Sequence, residues 1–300
     1  MLQPPQLLDS CKTKPWATIA NDTHVSFQAL KWNRLVHDAF ARQERAAIMV
    51  AVDLSTADLL DNFLASARRV YNASGASFIV IALDESGYKK CTQARAPIEK
   101  DSAINVTCID LVGWIPNYLW QEESRGFGSC IFKLTIWART LSFIEAVRSS
   151  RHGVLMLDLD VILRKDLLEW IDICKSLPIL AGGGNHANGG TLFADRTAIP
   201  LLSEWGNATV GRYVNHVFFE QKALNYLRQT IGGIQLIPIE DVGQCGKKGY
   251  FATHYNCVGN KVQSMFDNGE WLIGNTSDNN SDDRVGFLTN SSIGNASGKT

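Results

Sequence analysis

The sequence has almost no imbalance of charge: 29 basic and 30 acidic residues leave a formal net charge of −1. Without a basic excess, nothing steers the chain onto nucleic acid or an anionic membrane surface. No apolar run approaches the roughly 18 residues that a membrane helix needs. The opening stretch MLQPPQLLDSCKTKP has no basic region followed by an apolar one, so it does not read as a signal peptide. There is no CxxC pair, and a structural zinc site is not expected. GxGxxG and GxxxxGK[ST] are both missing, which argues against a dinucleotide-binding Rossmann domain and a P-loop. No internal repeat is visible, and no residue stands out as a nucleophile.

What is present suits one large α/β domain or two small ones: 300 residues, 45% of them hydrophobic. Seven cysteines leave at least one unpaired. Cys245 and Cys257 flank a short loop-like stretch and could pair, whereas Cys174, in EWIDICKSL, reads as a buried free thiol. Eight Asn-x-Ser/Thr sites occur, at Asn21, Asn72, Asn105, Asn207, Asn275, Asn279, Asn290 and Asn295. They favour the Golgi or another secretory lumen, with the cytoplasm as the alternative. For a luminal chain the expectation is that an anchor was removed or lies upstream and that Met1 is not the natural start.

Apolar runs alternate with amphipathic segments. AAIMVAV (46–52), SFIVIAL (77–83), INVTCIDL (104–111) and VLMLDLDVI (154–162) read as buried strands. Residues 24–40, 56–71, 130–150 and 214–229 have helical spacing, and 177–195 reads as strand, Gly-rich loop, strand, followed by a late strand at 233–239. The alternation predicts a mostly parallel sheet with helices on both faces. The expected organisation is an N-terminal arm and helix (1–44), a catalytic domain (45–272) and a polar, disordered tail (273–300).

Ligands of such sheets sit at the carboxyl ends of the strands. Asp53, Asp84 and the pair Asp158/Asp160 all fall there. In an extended chain Asp158 and Asp160 face the same way while Leu159 packs inward. Two carboxylates that close repel unless a cation neutralises them, and hard oxygen ligands suit Mg²⁺ or Mn²⁺. The other reading is an exposed acidic strand end continued by Asp166 and Glu169.

VLMLDLDVILRKDLLEW resembles the DxD segment of metal-dependent GT-A-fold glycosyltransferases, close to the nucleotide-diphospho-sugar transferase family that includes plant and algal arabinosyl-, xylosyl- and galactosyltransferases. The likeness extends to IVIALDESGYKKC, FGSCIFKLTIWARTLSFIEAV, NGGTLFAD, EQKALNYL and THYNCVGNKVQSMFDNGEW, in the family's order and over about residues 45–272. It implies a GT-A-type, Rossmann-like, mostly parallel sheet flanked by helices on both faces.

By this resemblance Asp158 and Asp160 match the metal and diphosphate site, and His254 a third metal ligand or else a structural histidine. Lys261 matches a cation on the departing diphosphate or is a solvated lysine, and Asn256 belongs to the same His-x-Asn segment. Asp53 would touch base or ribose or simply start a helix, with Asp84 a further donor-side candidate. Asn188, Gly189 and Gly190 match the segment against the transferred sugar or form a tight turn. Gln221, after Glu220, matches a position near the reacting carbon or belongs to an ordinary amphipathic helix. Asp160, Glu220 and Gln221 are the catalytic candidates. Two departures stand out: Ala138 and Arg139 lie where the family often has Lys, making Arg139 a candidate diphosphate contact, and Glu220 replaces Asp.

The implied activity is metal-dependent transfer of a sugar from a UDP-sugar to a hydroxyl of a glycan or glycoprotein, with retention of configuration. A haloacid-dehalogenase-like phosphatase also carries Asp-x-Asp after an apolar strand. That motif normally closes the first strand of the domain, whereas here at least three strands precede it. A non-catalytic sugar-nucleotide-binding protein is the third alternative.

Overall fold

The structure, a computed structural model, describes residues 31–115, 129–213, 216 and 219–273. The expected arm before residue 31 and the expected tail after 273 lie outside these residues.

Helix α1 (Lys31–Ala41) leads into β1 (Ala47–Val52), α2 (Ala57–Tyr71), β2 (Ser77–Ala82), α3 (Glu85–Asp101) and β3 (Asn105–Asp110). The long α4 (Cys130–Ser149) precedes β4 (Val154–Leu157), β5 (Val161–Leu163) and α5 (Leu167–Cys174). Then come β6 (Ile179–Gly182), β7 (Asn188–Ala194), α6 (Ile199–Gly211), α7 (Phe219–Thr230), β8 (Ile234–Leu236), β9 (Val242–Gly243), β10 (Ala252–His254) and α8 (Lys261–Asp267).

The central sheet runs β3-β2-β1-β4-β7-β6-β8. It is parallel throughout except at β7, which is antiparallel to both neighbours. Alternation along each strand builds two cores. Met49, Ile79, Ile81 and Met156 pack on the α1, α4, α6 and α7 side. Ile48, Val50, Phe78, Val80, Leu155 and Leu157 pack on the side of α2, α3 and α5. Both faces are covered, as expected of strands that are apolar along their whole length. From β1 the chain winds outward through β2 and β3, then crosses back to β4 on the other side. The gap between the ends of β1 and β4 is therefore a switch point, where such sheets leave a crevice.

VLMLDLDVI is not one strand. β4 ends at Leu157, and Asp158–Asp160 form a turn closed by Val161 N–H donating to the Asp158 carbonyl at 3.1 Å. The chain then enters a second, small sheet of order β5-β10-β9. The two carboxylates share a side because of this turn and not because of a strand pleat. Cys174 is free but exposed, contrary to expectation. α5 is short and buries Leu167, Leu168, Trp170 and Ile171, while its last turn runs into solvent with Ile173 75% exposed. Disulfides join Cys91 to Cys108 and Cys245 to Cys257. No helix among the described residues is long and apolar enough to cross a membrane.

Candidate active site

The small sheet completes the site. β10 pairs antiparallel with β5, and its register sets His254 opposite Val161, the residue after Asp160. A histidine far downstream is thus delivered beside the carboxylate turn. The ligating atoms of Asp158, Asp160 and His254 lie within 4.8 Å of one another. His254 Nε2 is 3.2 Å from Asp160 Oδ1 and 3.7 Å from Asp158 Oδ2. Lys261, opening α8, places Nζ 2.6 Å from Asp160 Oδ2. Arg139, projecting from α4, pairs with Asp158, and its other terminal nitrogen is 3.9 Å from Glu220 Oε1.

Electrostatics bind the cluster together. Burial opposes charge on the His254 ring, but the Asp160 and Asp158 carboxylates outweigh it and raise its pKa to about 9. Burial works against ionised Asp160 as well, yet His254 and Lys261 hold its carboxyl well below the usual range. Asp158 is also held low, with Arg139 the main opponent of burial. Glu220 goes the other way: burial pushes it up and Arg139 offsets this only in part.

The donor set fits a divalent ion. Both oxygens of Asp160 and both ring nitrogens of His254 are buried without a well-aligned hydrogen bond, even though charged partners lie close. Such converging, unsatisfied atoms are what a cation would satisfy.

Glycine shapes the floor. A Cβ on Gly190 would run into the Asp158 carboxylate and the His254 ring. Its N–H donates to Asn188 Oδ1 at 2.7 Å, and its carbonyl accepts from Asp158 N–H at 2.8 Å. Asn188–Gly190 thus open β7 and brace the carboxylate turn, and they do not form a loop between strands. Gly189 needs no such freedom, since a Cβ there would meet Glu220 Oε1 at an ordinary 3.4 Å.

Two compartments flank the cluster. One, about 710 Å³ and open to solvent, is lined by Asp53, Ser55 and Thr56 after β1, by one stripe of α4, and by Asp158, Asp160 and Lys261. The other, about 900 Å³, adds Asn188, Gly190, Glu220, Gln221, Asn256 and Cys257. Asp53 Oδ1 accepts from Ser55 Oγ at 2.6 Å and from Thr56 N–H at 3.0 Å, which fixes the first loop.

Asp84 lines neither compartment. Its buried carboxylate caps α3 through Gly87 N–H at 2.7 Å and accepts Leu54 N–H at 2.9 Å, bracing the Asp53 loop from behind. Asn256 lines the second compartment and also accepts Cys245 N–H at 3.0 Å while donating to Gln244 Oε1 at 2.6 Å.

The α4 stripe of Phe132, Thr135 and Ile136, which escaped the sequence reading, lies one or two turns before Arg139 on the same face. The sequence offers only the i, i+3, i+4, i+7 spacing that ends at Arg139, which a core-facing stripe shares.

No protein-family model matches the sequence, and neither does any curated protein. Among solved structures the chain is similar to the apo form of the glycosyltransferase GlyE of Streptococcus pneumoniae TIGR4, at 13% identity and a TM-score of 0.54, over 77% of this chain and 61% of that one. It is also similar to mouse xyloside xylosyltransferase 1 in its apo form, at 11% identity and a TM-score of 0.52, over 72% of this chain and 99% of that one. The chain therefore spans about three fifths of the length of GlyE and almost all of that of the mouse enzyme. At these identities the likeness concerns architecture, and it shows that this chain has the GT-A-type fold of those glycosyltransferases.

Proposed function

We propose that the chain is a metal-dependent glycosyltransferase that moves a sugar from a UDP-sugar to the hydroxyl of a glycan or glycoprotein, with retention of anomeric configuration. The observation that carries this reading is the convergence of Asp158, Asp160 and His254 at the sheet's switch point, between two compartments and beside two cations. Two carboxylates and an imidazole favour Mn²⁺ over Mg²⁺, because nitrogen ligands suit the softer ion. When bound, the ion would neutralise the donor diphosphate as it leaves.

The protein's own groups supply the rest. Lys261 is 41% exposed at its side chain and is free to turn from Asp160 toward a phosphate oxygen. Arg139 holds Asp158 oriented and adds positive charge to the same wall. The first compartment would take the nucleoside, with Asp53 at its far end. The second would take the sugar, its face against Gly190 and its reacting carbon near Gln221. With no side-chain nucleophile in prospect, the departing phosphate would take the acceptor's proton on the face it leaves, which accounts for retention. The catalytic unit would span residues 45–272.

A secretory lumen such as the Golgi is supported by two disulfides and by the exposure of Asn72, Asn105 and Asn207, the three acceptor asparagines among the described residues.

The test is a thermal-shift screen of nucleotides and UDP-sugars with and without Mn²⁺. Stabilisation by UDP that requires the metal and disappears in Asp160→Ala is expected. A flat response to every nucleotide would sink the reading. Mn²⁺-dependent stabilisation without donor hydrolysis for any UDP-sugar would favour a binding protein. Aryl-phosphate hydrolysis lost in Asp158→Asn would favour the phosphatase.

A further inference from the structure

A third hollow, about 950 Å³ with its open mouth, shares Gln221 with the proposed sugar compartment and extends away from the carboxylates. Its wall is one face of α7. Gln221, Lys222, Asn225, Tyr226 and Gln229 follow one another at helical spacing, while Phe219, Ala223, Leu224 and Leu227 face the core. Tyr213 and His186 close the sides.

The lining has a consistent chemistry. The rings of Tyr213 and Tyr226 are 5.9 Å apart, and the Arg212 guanidinium sits 4.2 Å over Tyr226, holding that ring in place. Asn225 is committed to structure: its amide donates to and accepts from the Ala187 backbone at 2.8 and 2.9 Å, fixing the turn that bears His186. By contrast, the side-chain amides of Gln221 and Gln229 and the hydroxyls of Tyr213 and Tyr226 make no hydrogen bond among the described residues. Among the described residues no carboxylate lines the hollow, whereas a lysine does. Half-buried tyrosine rings, beside several unused polar ends and, among the described residues, no negative charge, suit a polyhydroxylated, non-cationic ligand.

We propose that this hollow is the acceptor subsite and that it takes the end of an oligosaccharide chain, with Tyr226 and Gln229 as its specificity-determining residues. The proposal rests on the sugar-transfer reading, because only that reading puts the reacting carbon at Gln221, where the two hollows meet. Nucleoside, sugar and acceptor would then lie in line along one cleft, from Asp53 past Asp158 to Tyr226.

The experiment uses the whole chain on an array of immobilised oligosaccharides in the presence of UDP and Mn²⁺, with the thermal shift given by UDP and Mn²⁺ measured in parallel. Retention of at least one saccharide is expected, weakened tenfold or more in Tyr226→Ala and in the solvent-facing Gln229→Ala, with the UDP shift unchanged in both. Equal retention by wild type and both variants would overturn the proposal while leaving sugar transfer intact. So would a normal UDP shift with no saccharide retained, which would point to a non-carbohydrate acceptor such as a peptide hydroxyl. If UDP and Mn²⁺ give no shift, the donor reading fails. Saccharide binding lost in the two variants would then still establish the hollow as a carbohydrate site.

Discussion

Gly190 and Gly189 are adjacent yet make opposite demands. Alanine at Gly190 would drive its methyl group into Asp158 and His254, whereas alanine at Gly189 would meet Glu220 at ordinary contact distance. Gly190→Ala is therefore expected to weaken Mn²⁺ binding at least tenfold, with an overpacking cost of about 1–3 kcal/mol. Gly189→Ala should bind Mn²⁺ nearly as wild type does. Calorimetric titration with Mn²⁺ and a melting curve for each variant check this.

His254 makes a second prediction, and here the sign matters. Its pKa is raised from 6.5 to about 9 in the metal-free protein. The stability it contributes is thus fully present below 6.5 and lost as pH rises through about 9. Metal requires the neutral ring, so Mn²⁺ affinity should climb over the same window by up to about tenfold per pH unit, releasing one proton per ion. Titrations in buffers of different ionisation enthalpy read that proton, which should be absent in His254→Ala.

Asp158 and Asp160 could be singled out by their chemistry and His254 and Lys261 by the family resemblance, and the structure brings all four together. Phe132, Thr135 and Ile136 could not. An apolar residue that lines a pocket looks, in sequence, like one that lines a core.

Among the elements, strands β1, β2 and β4 were legible because a chain buried on both faces must be apolar throughout, whereas β3, at the sheet edge, is only partly buried. The break inside VLMLDLDVI was not. Its residues read as continuous strand, and only the small sheet, whose partners β9 and β10 lie far along the chain, pulls Val161–Leu163 out of line. Asp84 likewise looked like a site residue since it ends a strand at the ligand edge, but the same position is the start of a helix, and capping is the role the structure shows. Replacing it with alanine is expected to cost about 1–2 kcal/mol in a denaturant titration. It should also weaken UDP binding, as Leu54 N–H loses its partner and the Asp53 loop loosens. Asp84→Asn keeps one acceptor for the Leu54 and Gly87 N–H groups and turns its NH₂ on the other, so it should recover one of the two effects and not both.

The molecule as a whole was the most legible level. Alternating strands and helices imply a layered parallel sheet, and that sheet is observed, with only β7 reversed. The acceptor asparagines are a property of this scale too. Asn72 closes α2 and Asn105 opens the edge strand β3, both at the end of the sheet remote from the cleft. Expressed through a secretory pathway, the protein is expected to lose mass on treatment with peptide N-glycosidase, and Asn72→Gln and Asn105→Gln should each lower the starting mass without changing UDP binding. Cytosolic thiol chemistry and no mass change would argue for the cytoplasm.

The register that sets His254 against Val161 also has a consequence for how the protein is made. Chains emerge from the ribosome from the amino end at about 5–20 residues per second, and early segments begin to fold before later ones exist. Asp158 and Asp160 are synthesised well before β10 is available to pair with β5. Until then the carboxylates have Arg139 for company but neither His254 nor Lys261. A nascent or prematurely terminated chain therefore carries the crevice without its metal ligand set, and the ability to bind the ion arises only once the strand Ala252–His254 has docked.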